Sequence, residues 1–410
     1  MCLDFPDFMA VREKKKGGEK AAKRRPGEKA AKRAAREQGA TREVAPEQER
    51  ATKGGGKAAL PADALERLVT IRRENLIDAD QPMVLIAQAP RSGGTLLSQL
   101  VDGHPELHAH PGELKLGPAW PSLDLADSPQ AMWKSLQPKN LFHAFRDGYS
   151  KDRPAQKLGH HEQLQQFPFM LPPSLYRDLF LDIAAERTIE SQRDALDVHF
   201  TALFNAWLDN QNLYGGPKRW IAAFRGRLRT PENLAKFFQD YPEGRHITCV
   251  REPRAKLASK LVYVAGRGGE GAADADPDTD DPDAEEQEAG DLPRRIRSWR
   301  SATELQIQTK ERYGDQVFLL TFENLVTETE RTMRAMAEWL EIEFDPILTQ
   351  PTFNRFPIKA NSSYKVGGHG VRREPLENWR SVFSEEEAKT IEDETRDLRE
   401  RVAEFDASSA

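Results

Sequence analysis

The sequence predicts an α/β fold, a central parallel sheet flanked by helices. Three observations carry this. Short apolar runs at Met83–Ala89, Trp220–Phe224, His246–Arg251 and Gln316–Phe322 have the length and composition of strands buried on both faces. Segments with helical periodicity separate them. Strands and helices in alternation build a parallel sheet, and ligands of such sheets bind beyond the carboxyl ends of the strands.

Taken in order, residues 1–60 are a basic low-complexity stretch in which GEKAAKR occurs at Gly18–Arg24 and again at Gly27–Arg33. Residues 11–57 carry sixteen Lys and Arg against seven Glu, with no apolar stripe to bury, so a disordered, solvated tail is expected. The alternative is an arm for a polyanion or an acidic partner, although no aromatic residue between Arg12 and Leu60 is available to stack on bases. A helix is expected around Ala62–Ile77, then the first strand between Pro82 and Pro90, then a turn and a helix at Thr95–Asp102. Residues 118–215 read as mostly helical, most clearly Ser191–Asn210. The strand Trp220–Phe224 precedes a helix that Thr230 caps and Pro231 opens. After the strand His246–Arg251, Pro253 opens another helix.

Residues 268–293 hold eleven Asp and Glu and no Lys or Arg, and are expected to be a disordered insert. Beyond it the pattern gives a helix at Arg295–Tyr313, the strand Gln316–Phe322, an amphipathic helix at Thr327–Leu340 and a charged helix at Ser384–Glu404. One domain over 61–405, interrupted by the insert, accounts for these elements.

The 410 residues are 38% hydrophobic and 31% charged, and the net charge of -6 conceals the basic and acidic segments. Cys2 and Cys249 stand in no metal-ligand spacing and form no disulfide framework, which fits a reducing compartment. No apolar run approaches the length of a membrane span, and MCLDFPDFMAVREKKK lacks the apolar core of a signal peptide. A cytoplasmic protein is expected. Oligomeric state is not legible.

The chemistry concentrates after the first strand. Pro90-Arg91-Ser92-Gly93-Gly94-Thr95-Leu96 turns directly into a helix. Two glycines let backbone N–H groups converge, and the helix start adds unpaired amides, which together suit a phosphate or sulfate. Arg91, Ser92 and Thr95 add side-chain donors. A Walker A loop would carry a Lys after its last glycine, and none is present. The strand His246–Arg251 ends in Arg251-Glu252-Pro253-Arg254, with Ser259 in the helix that follows, and an Arg with a Ser hydroxyl suits another phosphate.

Pro90–Leu107 resembles the 5′-phosphosulfate loop and following helix of sulfotransferases that use 3′-phosphoadenosine 5′-phosphosulfate (PAPS), in the branch with Pro-Arg-Ser-Gly that includes tyrosylprotein sulfotransferases and bacterial relatives. Gly94 departs from it, because a Thr or Ser is common there, and one hydroxyl donor is thereby removed. Cys249–Leu261 resembles the family's 3′-phosphate motif, with Arg251 and Ser259 matching in type and spacing. The resemblance implies a P-loop-like sulfotransferase fold with PAPS as co-substrate. It assigns Arg91, Ser92, Gly93, Gly94, Thr95, Leu96, Arg251 and Ser259 to the nucleotide. Arg372 and Arg373 sit where the family often places a basic residue against the 3′-phosphate.

Relatives with this loop commonly use a Glu shortly after the His-Pro pair as general base, which selects Glu113, with His110 as the runner-up. Arg91 supplies charge at the bridging oxygen. No H-E-x-x-H or Cys pair implies a metal. The implied reaction moves a sulfuryl group to a hydroxyl or amine. The acceptor, whether sugar, peptide, lipid or small molecule, is not encoded in any readable motif. The competing readings are an atypical P-loop kinase or NTPase and a catalytically inactive nucleotide-binding scaffold.

Overall fold

The computed structural model describes residues 62–117, 119–142, 149–150, 153–154, 169–267, 291–358 and 369–407. The expectations for segments 1–60 and 268–290 lie outside the described residues.

Five strands form one sheet: β1 (Met83–Ile86), β2 (Leu107–Glu113), β5 (Trp220–Phe224), β6 (Arg245–Val250) and β7 (Val317–Thr321), in the order β2-β5-β1-β6-β7. Every pairing is parallel. Two two-stranded hairpins lie apart from it, β3 (Tyr149–Ser150) with β4 (Arg153–Pro154) and β8 (Thr352–Phe353) with β9 (Phe356–Pro357).

The apolar runs become strands because both their faces are covered. Along β1, Met83 and Leu85 join one core cluster while Val84 and Ile86 join another. β5 divides the same way, with Ile221 and Ala223 on one face and Trp220 and Ala222 on the other. Cys249 of β6 is fully buried, a small hydrophobe as its apolar setting suggests. On the first face pack helices α4 (Pro173–Glu186) and α5 (Gln192–Ala206). A capping box at Ser191 and Asp194 starts α5. Thr230 accepts from the Asn233 N–H and Pro231 opens the following helix, as the sequence predicts.

Two elements differ from expectation. β2 is a strand that the sequence pattern hides, because LHAHPGE mixes histidines, Pro111 and Gly112. Its position at the sheet edge tolerates the proline, and its register with β5 shifts between Ala109 and Glu113. The predicted helix Thr327–Leu340 begins instead at Thr329, after a separate short helix at Phe322–Thr327.

β1 lies between β5 and β6, which continue outward in opposite directions. The loop leaving β1 therefore sits at a topological switch point, with Arg225 beyond one neighbour and Arg251 beyond the other. Among the described residues no helix is long and apolar enough to cross a membrane.

Candidate active site

The loop after β1 is held in a conformation that most residues avoid. Arg91 has φ 64° and Gly93 has φ 96°. A left-handed Arg costs about 1–2 kcal/mol and persists where its surroundings fix it. Gly93 also lies against the ring of Phe322, where an added Cβ would come within 2.6 Å. Helix α2 (Gly94–Leu100) follows at once, and Gly93 provides no side-chain cap for its first N–H groups. Backbone donors are thus left for an anion. Gly93→Ala is expected to lose about 2 kcal/mol of stability from the left-handed backbone and the contact with Phe322. Urea unfolding measures this, and an unchanged midpoint and slope would show that the turn is not strained.

The loop forms one wall of an open cleft. Arg91, Gly93, Gly94, Thr95 and Leu96 line it together with Arg251, Ser259 and Arg372, so residues from three separate stretches of sequence meet in one site. Ser92 is buried beneath the loop and does not line the cleft. Arg373 also stays off the wall and donates to the Thr327 carbonyl at 2.6 Å.

Arg251 emerges where β6 ends and is 5% exposed. Its guanidinium donates to the Arg91 carbonyl at 3.1 Å and to the Pro375 carbonyl at 3.0 Å, and it stacks 4.4 Å above the Phe322 ring. One buried cation therefore ties the phosphosulfate-like loop to the segment carrying Arg372. Helix α7 (Pro253–Arg267) brings Ser259 to the same place, where its hydroxyl accepts from Arg91 Nε at 3.3 Å. The Arg91 side chain thus reaches from the glycine loop to helix α7. Behind them Glu323 accepts from the Glu252 N–H at 3.1 Å, and burial pushes its carboxyl up to about 7.

Glu113 ends the edge strand β2 opposite Phe224, whose ring lines the cleft. Its carboxylate stands 3.6 Å from the Arg225 guanidinium, which is buried and donates to the Gly117 carbonyl at 2.8 Å. Asn140 donates to the Glu113 carbonyl at 3.1 Å. Glu113 itself does not line the cleft, and its carboxylate lies beside this buried cation. His110 is turned into the protein, 3% exposed, with Nδ1 2.8 Å from the Gly112 carbonyl oxygen and its ring edge-on to Phe200.

Gln88 and Phe322 on the cleft wall and Arg225 beside Glu113 are among the residues at this site that the sequence-based expectations lack. Arg225 directly follows a predicted strand, the same signal that singles out Arg251. Gln88 lies within a predicted strand, where it is the one polar residue of the run Met83–Ala89, a signal that could have found it.

A five-stranded parallel sheet and a cleft lined by Arg91, Arg251, Ser259 and Arg372 narrow the comparison with known proteins. No curated protein matches the chain. Among solved structures it is similar to the sulfotransferase domain from the curacin biosynthetic pathway, at 14% identity and a TM-score of 0.42 over 77% of this chain and 98% of that one. It is also similar to the sulfotransferase domain from the Synechococcus PCC 7002 olefin synthase, at 18% identity and a TM-score of 0.40 over 80% and 97% of the two chains. A mouse sulfotransferase complexed with PAP matches at 12% identity and a TM-score of 0.36, over 84% and 94%. The sequence model of the sulfotransferase family matches residues 82–346, which include the loop after β1, Glu113, Arg251 and Ser259. By that match, over more than half of its length, the chain belongs to the sulfotransferase family.

Proposed function

We propose that this sulfotransferase takes its sulfuryl group from PAPS and delivers it to a hydroxyl or amine. The observation that carries this is the meeting of Arg91, Arg251, Ser259 and Arg372 in one cleft with the glycine turn. A donor with phosphate at both the 3′ and 5′ positions of its ribose needs two anion subsites, and ATP needs no second one. No Lys lines the cleft among the described residues, which also speaks against a P-loop kinase.

The fit rests on the chain's own groups. The N–H groups from Gly93 to Leu96 and the Thr95 hydroxyl hold the 5′ side. Arg251, Ser259 and Arg372 hold the 3′-phosphate, two of them as guanidinium forks. PAPS supplies an activated sulfuryl group whose leaving oxygen already belongs to a phosphate. Glu113 accepts the proton of the acceptor as its oxygen or nitrogen forms the new bond to sulfur. As the bond from sulfur to the bridging oxygen breaks, the electron pair stays on that oxygen. Arg91 and the loop amides stabilise the charge gathering there, a fixed electrostatic arrangement of the kind that serves phosphoryl transfer. Arg225 keeps the Glu113 carboxylate aimed.

Labelled PAPS offered with sugars, peptides, lipids and phenols tests the reaction. Transfer of label to one class, abolished by Arg91→Ala, is the expected result. Label that is never transferred, by a protein that binds the nucleotide, would favour an inactive scaffold. Arg251→Ala is expected to weaken adenosine 3′,5′-bisphosphate by on the order of 2 kcal/mol, the weight of a charge-assisted contact, with 5′-AMP affected less. Calorimetry with both nucleotides checks this, and an equal loss for the two would mean that Arg251 only supports the loop.

A further inference from the structure

Two arginines of the cleft are held alike. The Arg251 guanidinium lies 4.4 Å above the Phe322 ring, and the Arg91 guanidinium lies 5.1 Å from the centroid of the Tyr263 ring. A cation within about 6 Å of a ring face is drawn to it by the ring quadrupole. Tyr263 belongs to helix α7 and follows Ser259 by four residues. That spacing puts both side chains on one face of the helix, a turn apart. The helix therefore offers Arg91 two supports at once, a hydroxyl that accepts from Nε at 3.3 Å and a ring for the guanidinium to rest against. The backbone of Arg91 is tied as well, because its carbonyl accepts from Arg251 at 3.1 Å. Tyr263 is partly exposed and is not among the residues that line the cleft.

We infer that Tyr263 is a positioning residue for Arg91, whose guanidinium its ring seats so that the nucleotide meets a cation already oriented. The inference rests on the PAPS reading of the cleft and on the ligand role of Arg91 within it. An arginine gives up much rotamer freedom when it is fixed on an anion. Ordering it beforehand takes that cost out of the binding step. Phe322 serves Arg251 in the same way, but it also packs against Gly93 and lines the cleft, so its removal disturbs several contacts together. Tyr263 is off the wall, and its effect on the nucleotide passes through Arg91. The attraction belongs to the ring face and needs no hydroxyl, so a phenylalanine serves as well.

The test is a double-mutant cycle on the affinity for adenosine 3′,5′-bisphosphate, by calorimetry on the full chain. Tyr263→Leu keeps an apolar side chain and removes the ring. It is expected to weaken the nucleotide about threefold, the weight of a partly exposed contact between cation and ring. Tyr263→Phe keeps the ring and is expected to stay within about 1.5-fold of wild type. In the Arg91→Ala background, Tyr263→Leu is expected to change the affinity less than about 1.5-fold, because the ring has no cation left to hold. A ring that merely supported helix α7 would weaken the nucleotide equally in both backgrounds, and that result would overturn the inference. So would wild-type affinity in Tyr263→Leu, or a loss in Tyr263→Phe as large as in Tyr263→Leu. Thermal melting shows which variants fold, and Tyr263→Met and Arg91→Gln complete the same cycle where the first choices do not. Unchanged affinity in Arg91→Ala would overturn the ligand role of Arg91 and the inference with it. A wild-type protein that binds no adenosine 3′,5′-bisphosphate would overturn the donor reading itself.

Discussion

Glu113→Gln is expected to lower sulfuryl transfer about a hundredfold or more while leaving the affinity for adenosine 3′,5′-bisphosphate nearly unchanged. The glutamine keeps the shape at the end of β2 and removes the basicity. Nucleotide affinity should persist because Glu113 pairs with Phe224 in the sheet and is not among the residues that line the cleft proposed for the nucleotide. Arg91→Ala behaves differently and damages both binding and turnover, because that guanidinium serves ground state and transition state alike. His110→Ala is the deciding control. Its ring faces Phe200 and its Nδ1 meets the Gly112 carbonyl, so the expected loss of turnover is smaller than for Glu113→Gln. If His110→Ala stops transfer with nucleotide binding intact, while Glu113→Gln stays active on the same acceptor, the base is the histidine.

A second large effect is expected on stability in acid. His108 is 2% exposed, stacks on Phe204 at 4.7 Å between ring centroids, and has a buried Nε2 with no hydrogen-bond partner. Burial, helped by the Lys218 ammonium, pushes it down to about 3 from an ordinary 6.5. The unfolded chain therefore takes up this proton at a higher pH than the native protein does. The neutral ring's contribution is complete above pH 6.5 and is lost as the pH falls from 6.5 toward 3. At pH 4.5 the loss is about 2.7 kcal/mol, from two pH units at about 1.36 kcal/mol each. His199 and His246 are pushed down to about 3 and about 4 and act in the same direction.

Asp197 and Glu323, both raised to about 7 by burial, act in the opposite direction, because their protonated forms favour the native state as the pH falls. The total acid response is therefore a mixture. The difference between wild type and His108→Leu isolates one group, because the other contributions cancel. Urea unfolding at pH 7.5 and 4.5 should show the variant gaining about 2.7 kcal/mol on the wild type across that interval. A difference that stays constant between the two pH values would mean that the native ring takes up its proton over the same pH range as the unfolded chain.

The sequence-to-structure correspondence is uneven for physical reasons. β1, β5, β6 and β7 are legible because strands covered on both faces become uninterrupted apolar runs. β2 is not, since an edge strand accepts the Pro111, Gly112 and histidines that a central strand would reject. The anion-binding residues are legible where the motif is contiguous, as from Arg91 to Leu96. Arg251 and Ser259 are legible because eight residues place both on one strand-to-helix passage. Arg372 and Arg373 are neighbours in sequence, yet only the first reaches the cleft, while the second satisfies the end of the short helix Phe322–Thr327. The packing of Gln88 into the space that a side chain on Gly94 would need could not be read at all, because it exists only as a volume that two separated residues share.

The central claim, that the cleft takes a nucleotide with phosphate at both 3′ and 5′ positions, is tested most directly by titrating adenosine 3′,5′-bisphosphate and 5′-AMP into the wild-type protein in a calorimeter. The two differ by one phosphate, the one assigned to Arg251, Ser259 and Arg372. The account predicts that adenosine 3′,5′-bisphosphate binds at least tenfold tighter, the worth of a hydrogen-bonded contact to charge. Equal affinities for the two nucleotides would contradict it.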